Sequence, residues 1–257
     1  MARKRATRDN VVMLENALAA NGAAMREGPQ RKTWSRHDIK HLTPLTPTQR
    51  DMIHEFVNGN NVIAYGSAGT GKSFLSIYLA LSEVFRHDSD FNKIIIVRSA
   101  VQTREMGHTP GTAEEKAAMY ELPYAPIFSE LIGRKSTYQD MKSAGVIEFH
   151  TTSFVRGVTW DDAIVIVDEV QSMSFHEINT IMTRLGTNSR IILCGDIKQN
   201  DLRYRKGDTS GMPKLLSVAK RMKQVSLVQF TKDDIVRSAF VKSWICAIEE
   251  DDEDNPS

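Results

Sequence analysis

The densest chemistry in this 257-residue sequence lies at Gly66-Ser67-Ala68-Gly69-Thr70-Gly71-Lys72-Ser73. Glycines at this spacing let successive backbone N–H groups turn inward around an anion, and a helix opening at Lys72 adds the positive end of its dipole. The segment matches G-x-x-x-x-G-K-[ST], and it stands between a strand-like apolar run and a helix-like one, as such a loop requires. Lys72 is expected to reach the β- and γ-phosphates of a nucleoside triphosphate, and the Ser73 hydroxyl to coordinate Mg²⁺. The predicted nucleotide contacts run from Gly66 to Ser73 and on to Phe74. A chance glycine-rich turn is the competing explanation, but so many fixed positions rarely coincide.

Two further segments complete a reaction centre. Ile164-Val165-Ile166-Val167-Asp168-Glu169 is four apolar residues ending in two acids. A strand of that kind, expected beside the phosphate-loop strand, delivers its acids to the carboxyl edge of an open α/β sheet, where ligands bind. Asp168 is predicted to hold the Mg²⁺, through water, and Glu169 to polarise an attacking water. The glutamate favours ATP hydrolysis over nucleotide storage, since a GTPase switch has no need of it, and disfavours a kinase, which must exclude water. Ile192-Leu193-Cys194-Gly195-Asp196-Ile197-Lys198-Gln199 is again a strand followed by polar residues. The Gln199 amide can donate and accept, so it could sense the γ-phosphate or the attacking water; a surface glutamine is the alternative.

The elements that must position these residues are legible as alternating apolar runs and amphipathic stretches from about residue 60 onward. Strands are predicted at 61–66, 93–99, 163–169, 190–196 and 224–230, with a shorter one at 146–151. Helices are predicted at 46–58, 72–86, 174–186, 211–221 and 233–248, the first capped by Thr46 or Thr48. Near-continuous Val/Ile/Leu content suits strands covered on both faces, so the fold class is α/β with a mostly parallel sheet and helices on both sides. Residues 99–145, with Gly107, Pro110, Gly111, Pro123 and Pro126, read as an insertion with irregular and helical parts.

Taken in order, Gly66–Ser73, Val167-Asp168-Glu169-Val170-Gln171, Gly195-Asp196-Ile197-Lys198-Gln199-Asn200-Asp201-Leu202 and Phe230-Thr231-Lys232-Asp233-Asp234-Ile235-Val236-Arg237 resemble PhoH-family proteins over residues 43–246. The resemblance implies a three-layer RecA-like P-loop ATPase related to the core of superfamily 1 helicases, with ATP and Mg²⁺ as ligands. It implies that Gln49 reads adenine, since a carboxamide pairs with adenine N6 and N7; by itself Gln49 would be an exposed helix residue. It makes Arg237 a catalytic arginine finger, the alternative being a salt bridge to Asp233 or Asp234. Without a second RecA-like domain, such a finger would act on a neighbour's nucleotide, and head-to-tail contacts close into rings, so a homo-hexamer is expected. In related helicases the segments matching Arg98–Val101 and Phe154–Gly157 face single strands. RNA or ssDNA contacts are therefore expected at Arg98, Arg156, Arg203 and Arg205, with Tyr124, Phe154, Trp160 and Tyr204 as stacking partners. Ser73 stands where the family more often has Thr, and His108-Thr109 where it is usually apolar. An ATP-binding regulatory or assembly module without a nucleic-acid substrate is the alternative reading.

Bulk properties fit a globular domain: 41% hydrophobic and 25% charged residues, with a formal net charge of +1. That balance hides an asymmetry. Residues 1–42 read as a basic arm, with nine Lys/Arg against four acids in the first forty positions, and residues 249–257 as a disordered acidic tail, because the acids Glu249 to Asp254 repel one another. The arm could meet that tail or nucleic acid. Cys194 and Cys246 lack disulfide or zinc spacing and read as buried thiols in a reducing cytoplasm. No apolar run reaches the ~20 residues needed to span a bilayer, so no membrane role is expected.

Overall fold

The computed structural model describes residues 34–99, 118–155, 157–196 and 210–254. Six parallel strands form one sheet: β1 Asn61–Gly66, β2 Lys93–Arg98, β3 Ile147–Thr151, β4 Ala163–Asp168, β5 Arg190–Gly195 and β6 Val225–Phe230. Their order across the sheet is β3-β2-β4-β5-β1-β6. The acid-bearing β4 is therefore not the neighbour of β1, as expected from sequence; β5 lies between them. Register along the chain cannot reveal such an insertion, because a crossover helix lets any later strand return to either side.

The helices are α1 Pro47–Val57, α2 Lys72–Val84, α3 Tyr124–Ile132, α4 Thr137–Ser143, α5 Phe175–Met182, α6 Met212–Ala219 and α7 Ala239–Asp254. Alternate strand residues serve two cores. Ile94, Ile96, Ile164 and Ile166 join a cluster with Met52, Phe56, Leu75, Leu79 and Phe128 from α1, α2 and α3. Ile95, Val97, Val165 and Val167 join the opposite one with Ile178 and Ile181 of α5 and Leu215 of α6. Both faces of the sheet are thus covered, which accounts for strands without polar alternation, and the expected three-layer α/β architecture with a parallel sheet is present.

Several boundaries have local causes. Thr46, not Thr48, caps α1, its hydroxyl accepting the Gln49 N–H at 3.2 Å, and Pro47 occupies the first turn, where its missing N–H costs nothing. Ser174 and Glu177 cap α5 reciprocally. The helix expected from 233 starts only at Ala239: Lys232–Asp234 make a single tight turn, and the Val236 N–H is given to the Gly69 carbonyl at 3.1 Å. The acids Glu249–Asp254, expected to be disordered, continue α7 to Asp254. Once the apolar turns of α7 exist, adding each further residue is cheap, and Lys232 sits 3.5 Å from Glu250. The arm also ends earlier than expected at its inner side. Trp34 stacks on Phe85 with centroids 6.2 Å apart, and the Lys40 N–H donates to Leu131 O at 2.8 Å, so residues 34–42 pack on the domain. Among the described residues no helix is long and apolar enough to cross a membrane.

Candidate nucleotide site

The loop after β1 and the start of α2 border a cavity of about 610 Å³ at the carboxyl edge of the sheet. Its volume is within the range of small-molecule sites. Ala68, Gly69, Thr70, Gly71, Lys72, Ser73 and Phe74 line it. Gly71 takes φ 84°, a left-handed conformation that glycine alone adopts at no steric cost, and so turns the chain into α2 with the helix N–H groups facing the cavity. Gly66 and Ser67 stand behind the cavity wall, where their carbonyls receive the Lys72 ammonium at 3.1 and 2.7 Å. Burial pulls the Lys72 ammonium below its ordinary value, and the charges of Asp196, Glu169 and Asp168 oppose that. The amine is thus stored against its own loop, in reach of incoming phosphate.

Asp168 ends β4 and Glu169 follows it, both lining the same cavity. Ser73 Oγ donates to Asp168 Oδ1 at 2.8 Å, across 95 residues of chain. The buried Tyr124, first residue of α3, donates its hydroxyl to the other oxygen, Oδ2, at 3.0 Å. Burial, then the Asp168 charge, holds the Tyr124 hydroxyl well above its usual range, so it remains a donor at neutral pH. Glu169 sits at φ 56° and ψ 44°, unusual for a residue with a side chain. Burial and the Asp168 charge push its carboxyl above the ordinary glutamate value, against pulls from Gln171, Arg98 and Lys72. Arg98 Nη2 lies 3.9 Å from Glu169 Oε1, because Arg98 pairs with Asp168 in the β2–β4 register. Arg98, one of the residues expected to contact nucleic acid, thus faces Glu169.

Gln49 is buried, not exposed, and belongs to the cavity wall. Its Oε1 accepts the Leu45 N–H at 2.8 Å and its Nε2 donates to Thr70 O at 3.0 Å. Each pole keeps one further hydrogen-bonding position, which matches the donor–acceptor pair of adenine. Arg237 lines the cavity of its own chain, with its Cγ 3.0 Å from where a Gly69 side chain would begin. The Val236 N–H donates to the Gly69 carbonyl at 3.1 Å, which holds the backbone beside Arg237 against the phosphate loop. Gln199, Arg156, Arg203, Arg205 and Tyr204 lie outside the described residues. Of the expected stacking residues, Phe154 is exposed, whereas Tyr124 and Trp160 are core residues at 1% and 0% exposure.

Sequence reasoning missed Tyr124 as a partner of Asp168, and missed Gln171, Asp196 and Glu130. Asp196 follows β5, lines the cavity and is buried, a position that exists only because β5 intervenes between β1 and β4. Cys194 on β5 is buried and contacts Ser76 Oγ at 2.9 Å; burial pushes its thiol up to about 12, which makes it a structural residue, while Cys246 is only half-buried.

The sequence profile of the PhoH-like protein family matches residues 41–249. A PhoH-like protein of Bacillus subtilis (strain 168) is 32% identical over 207 residues, covering 80% of this chain and 63% of the relative. Protein PhoH of Escherichia coli (strain K12) is 34% identical over 218 residues, covering 82% and 60%. The chain thus spans less than two thirds of the length of these relatives. Among solved structures, the large terminase of a thermophilic bacteriophage in complex with ADP aligns with a TM-score of 0.47 at 14% identity, covering 78% of this chain and 49% of that one. Pif1 helicase from Candida albicans aligns at 0.39 and 15% identity, covering 78% and 43%. Since the family profile takes in the phosphate loop, both acids and Arg237, the chain belongs to the PhoH family.

Proposed function

We propose that this protein is an ATP hydrolase that uses Mg²⁺ and turns over in response to RNA or single-stranded DNA. The observation that carries the reading is the 2.8 Å approach of Ser73 Oγ to Asp168 Oδ1 beside Lys72 and Glu169. Two hard oxygen donors at this point suit Mg²⁺, which takes few protein ligands and completes its shell with phosphate and water. Ser73 and Asp168 would hold the ion, and it would supply positive charge against the phosphates during transfer.

The chain's own groups do the rest. Backbone N–H groups of the loop and the first turn of α2 receive the phosphates, and the Lys72 ammonium swings from the Gly66 and Ser67 carbonyls onto the β/γ oxygens. Gln49 orients the base, with Arg237 beside Gly69 at the same shoulder of the loop. Glu169 accepts a proton from the attacking water; burial and the Asp168 charge raise its pKa, which makes it a stronger base than an ordinary carboxylate.

The test is phosphate release from purified protein with and without single-stranded RNA or DNA. Steady turnover in the wild type and its loss by on the order of 10³-fold or more in Glu169→Gln are expected, as for removal of a group acting in the transition state. Tight ATP binding without turnover would favour the regulatory module instead. Single strands that leave the rate unchanged would remove the nucleic-acid part of the proposal.

For assembly we propose a ring, as the family resemblance implies, in a cytoplasmic setting where both cysteines stay free. With Arg237 beside its own loop, the support for a ring is apolar: Phe240, Trp244 and Ile248 recur every fourth residue on α7 and are 78%, 62% and 46% exposed. Light scattering is expected to give a multiple of the 28.9 kDa chain mass that collapses in Trp244→Glu; a monomeric wild type would sink the ring.

A further inference from the structure

We infer that Gln171 is the positioning residue of this site: it holds the Glu169 carboxylate in place and ties it to the end of β5. The inference rests on Glu169 being the base of the reaction proposed above. Gln171 lies on the turn Val170–Ser172 and is 3% exposed. Its amide is engaged at both poles. Nε2 donates to Glu169 Oε2, and Oε1 accepts the Asp196 N–H at 2.9 Å. This orientation is dictated by its partners. Turned over, the amide would set its oxygen against a carboxylate and its NH₂ against an N–H. Glutamate at this position would repel Glu169, and an aliphatic residue would leave the buried Asp196 N–H unpaired, so the site calls for one donor and one acceptor on a side chain of this length.

The backbone is built around the contact from both sides. Glu169 adopts its left-handed conformation and its carbonyl takes the Ser172 N–H at 2.9 Å, which doubles the chain back and lays the amide two residues on against the carboxylate. Opposite, Gly195 lets the end of β5 come close: a Cβ there would lie 3.2 Å from Gln171 Oε1 and 2.8 Å from Met212 Cε. Asp196, whose N–H is held, lines the cavity with Lys72. One buried amide therefore connects the base to the strand end that carries an acid facing the phosphate-binding lysine. Arg98 approaches the other Glu169 oxygen, so the carboxylate is gripped at Oε2 by an amide and steered at Oε1 by a cation.

The experiment uses the full chain with Gln171→Leu, the equal-sized Gln171→Glu, Glu169→Gln and the Gln171→Leu/Glu169→Gln double variant. Both Gln171 variants are expected to lose on the order of 100-fold in kcat, the scale of a misplaced catalytic group, while affinity for a fluorescent ATP analogue holds. If Gln171 acts through Glu169, the double variant is no slower in single turnover than Glu169→Gln alone. Multiplied losses in the double variant, or wild-type kcat in Gln171→Glu, would overturn the inference. A crystal structure of Gln171→Glu supplies a readout independent of rate: the Glu169 carboxylate is expected to leave its wild-type position, and an unmoved carboxylate overturns the inference. Lack of turnover in the wild type would instead reject the hydrolase reading, with the crystallographic comparison still deciding the role of Gln171.

Discussion

Asp168 has both carboxylate oxygens engaged, one held by Ser73 and the other by Tyr124. A buried carboxylate is stable only when its lone pairs are met, and here the donors also fix which oxygen faces the phosphate loop. Removing the Tyr124 hydroxyl deletes one charge-assisted hydrogen bond without opening a large cavity. Tyr124→Phe is expected to fold and to raise the free Mg²⁺ needed for half-maximal phosphate release by roughly tenfold, the equivalent of one such bond. A magnesium titration checks this, and an unchanged midpoint would assign the tyrosine to packing alone. At the other end of the cavity, Gln49→Ala frees the Leu45 N–H and the Thr70 carbonyl and removes the group matched to adenine. Affinity for ATP is expected to fall by about 10-fold or more while that for GTP changes little, as read by competition with a fluorescent nucleotide.

Elements meet the site through caps rather than through broad packing. The turn Lys232–Asp234 is capped by the Asp234 carboxylate, which takes the Thr231 N–H at 2.9 Å and the Thr231 hydroxyl at 3.3 Å, and the hydroxyls of Thr46 and Thr48 at the start of α1 favour its charged form. Burial alone would raise this carboxyl; the hydrogen bonds outweigh it and leave its pKa below the ordinary aspartate value. A group depressed in this way stabilises the fold above its unfolded pKa of about 4, and the contribution disappears as pH falls through the lower folded value. Asp234→Asn is therefore expected to lower Tm at pH 7 by about 3 °C, and the gap from wild type to close in strong acid. Melting curves across pH test both the sign and the window. Because α1 carries Gln49, loosening this joint should also weaken nucleotide binding.

At the scale of the molecule, the cavity is walled by α1, the phosphate loop, the ends of β4 and β5, and Val236-Arg237, so a bound nucleotide touches segments far apart in the chain. A ligand that binds only the folded form stabilises it by about 2.7 kcal/mol at a hundred times Kd. For a chain of this size that corresponds to a rise in Tm of roughly 5–10 °C. ATP or ADP with Mg²⁺ is expected to produce it, and Lys72→Ala to abolish it. A wild-type Tm indifferent to nucleotide would contradict the assignment of the cavity.

The chain order of hydrophobic runs, the glycine spacing of residues 66–73 and the paired acids at 168–169 were legible without coordinates, because each is a local pattern. Parallel strands buried on both faces must be apolar throughout, and a phosphate loop must concentrate its glycines in a few consecutive residues. The central strands β2, β4 and β5 were recognisable for the first reason, and the core of the site for the second. What only the tertiary structure decided are the meetings between distant segments: β5 between β1 and β4, Asp196 beside the phosphate loop, Tyr124 on Asp168, Arg98 on Glu169, and Arg237 in the cavity wall beside Gly69. Such pairings depend on strand order and crossover path, which leave no periodic trace in sequence. Trp160 shows the same limit in reverse: an aromatic beside charged residues looks like a surface for bases, yet its bridge to Leu185 carries it into the core.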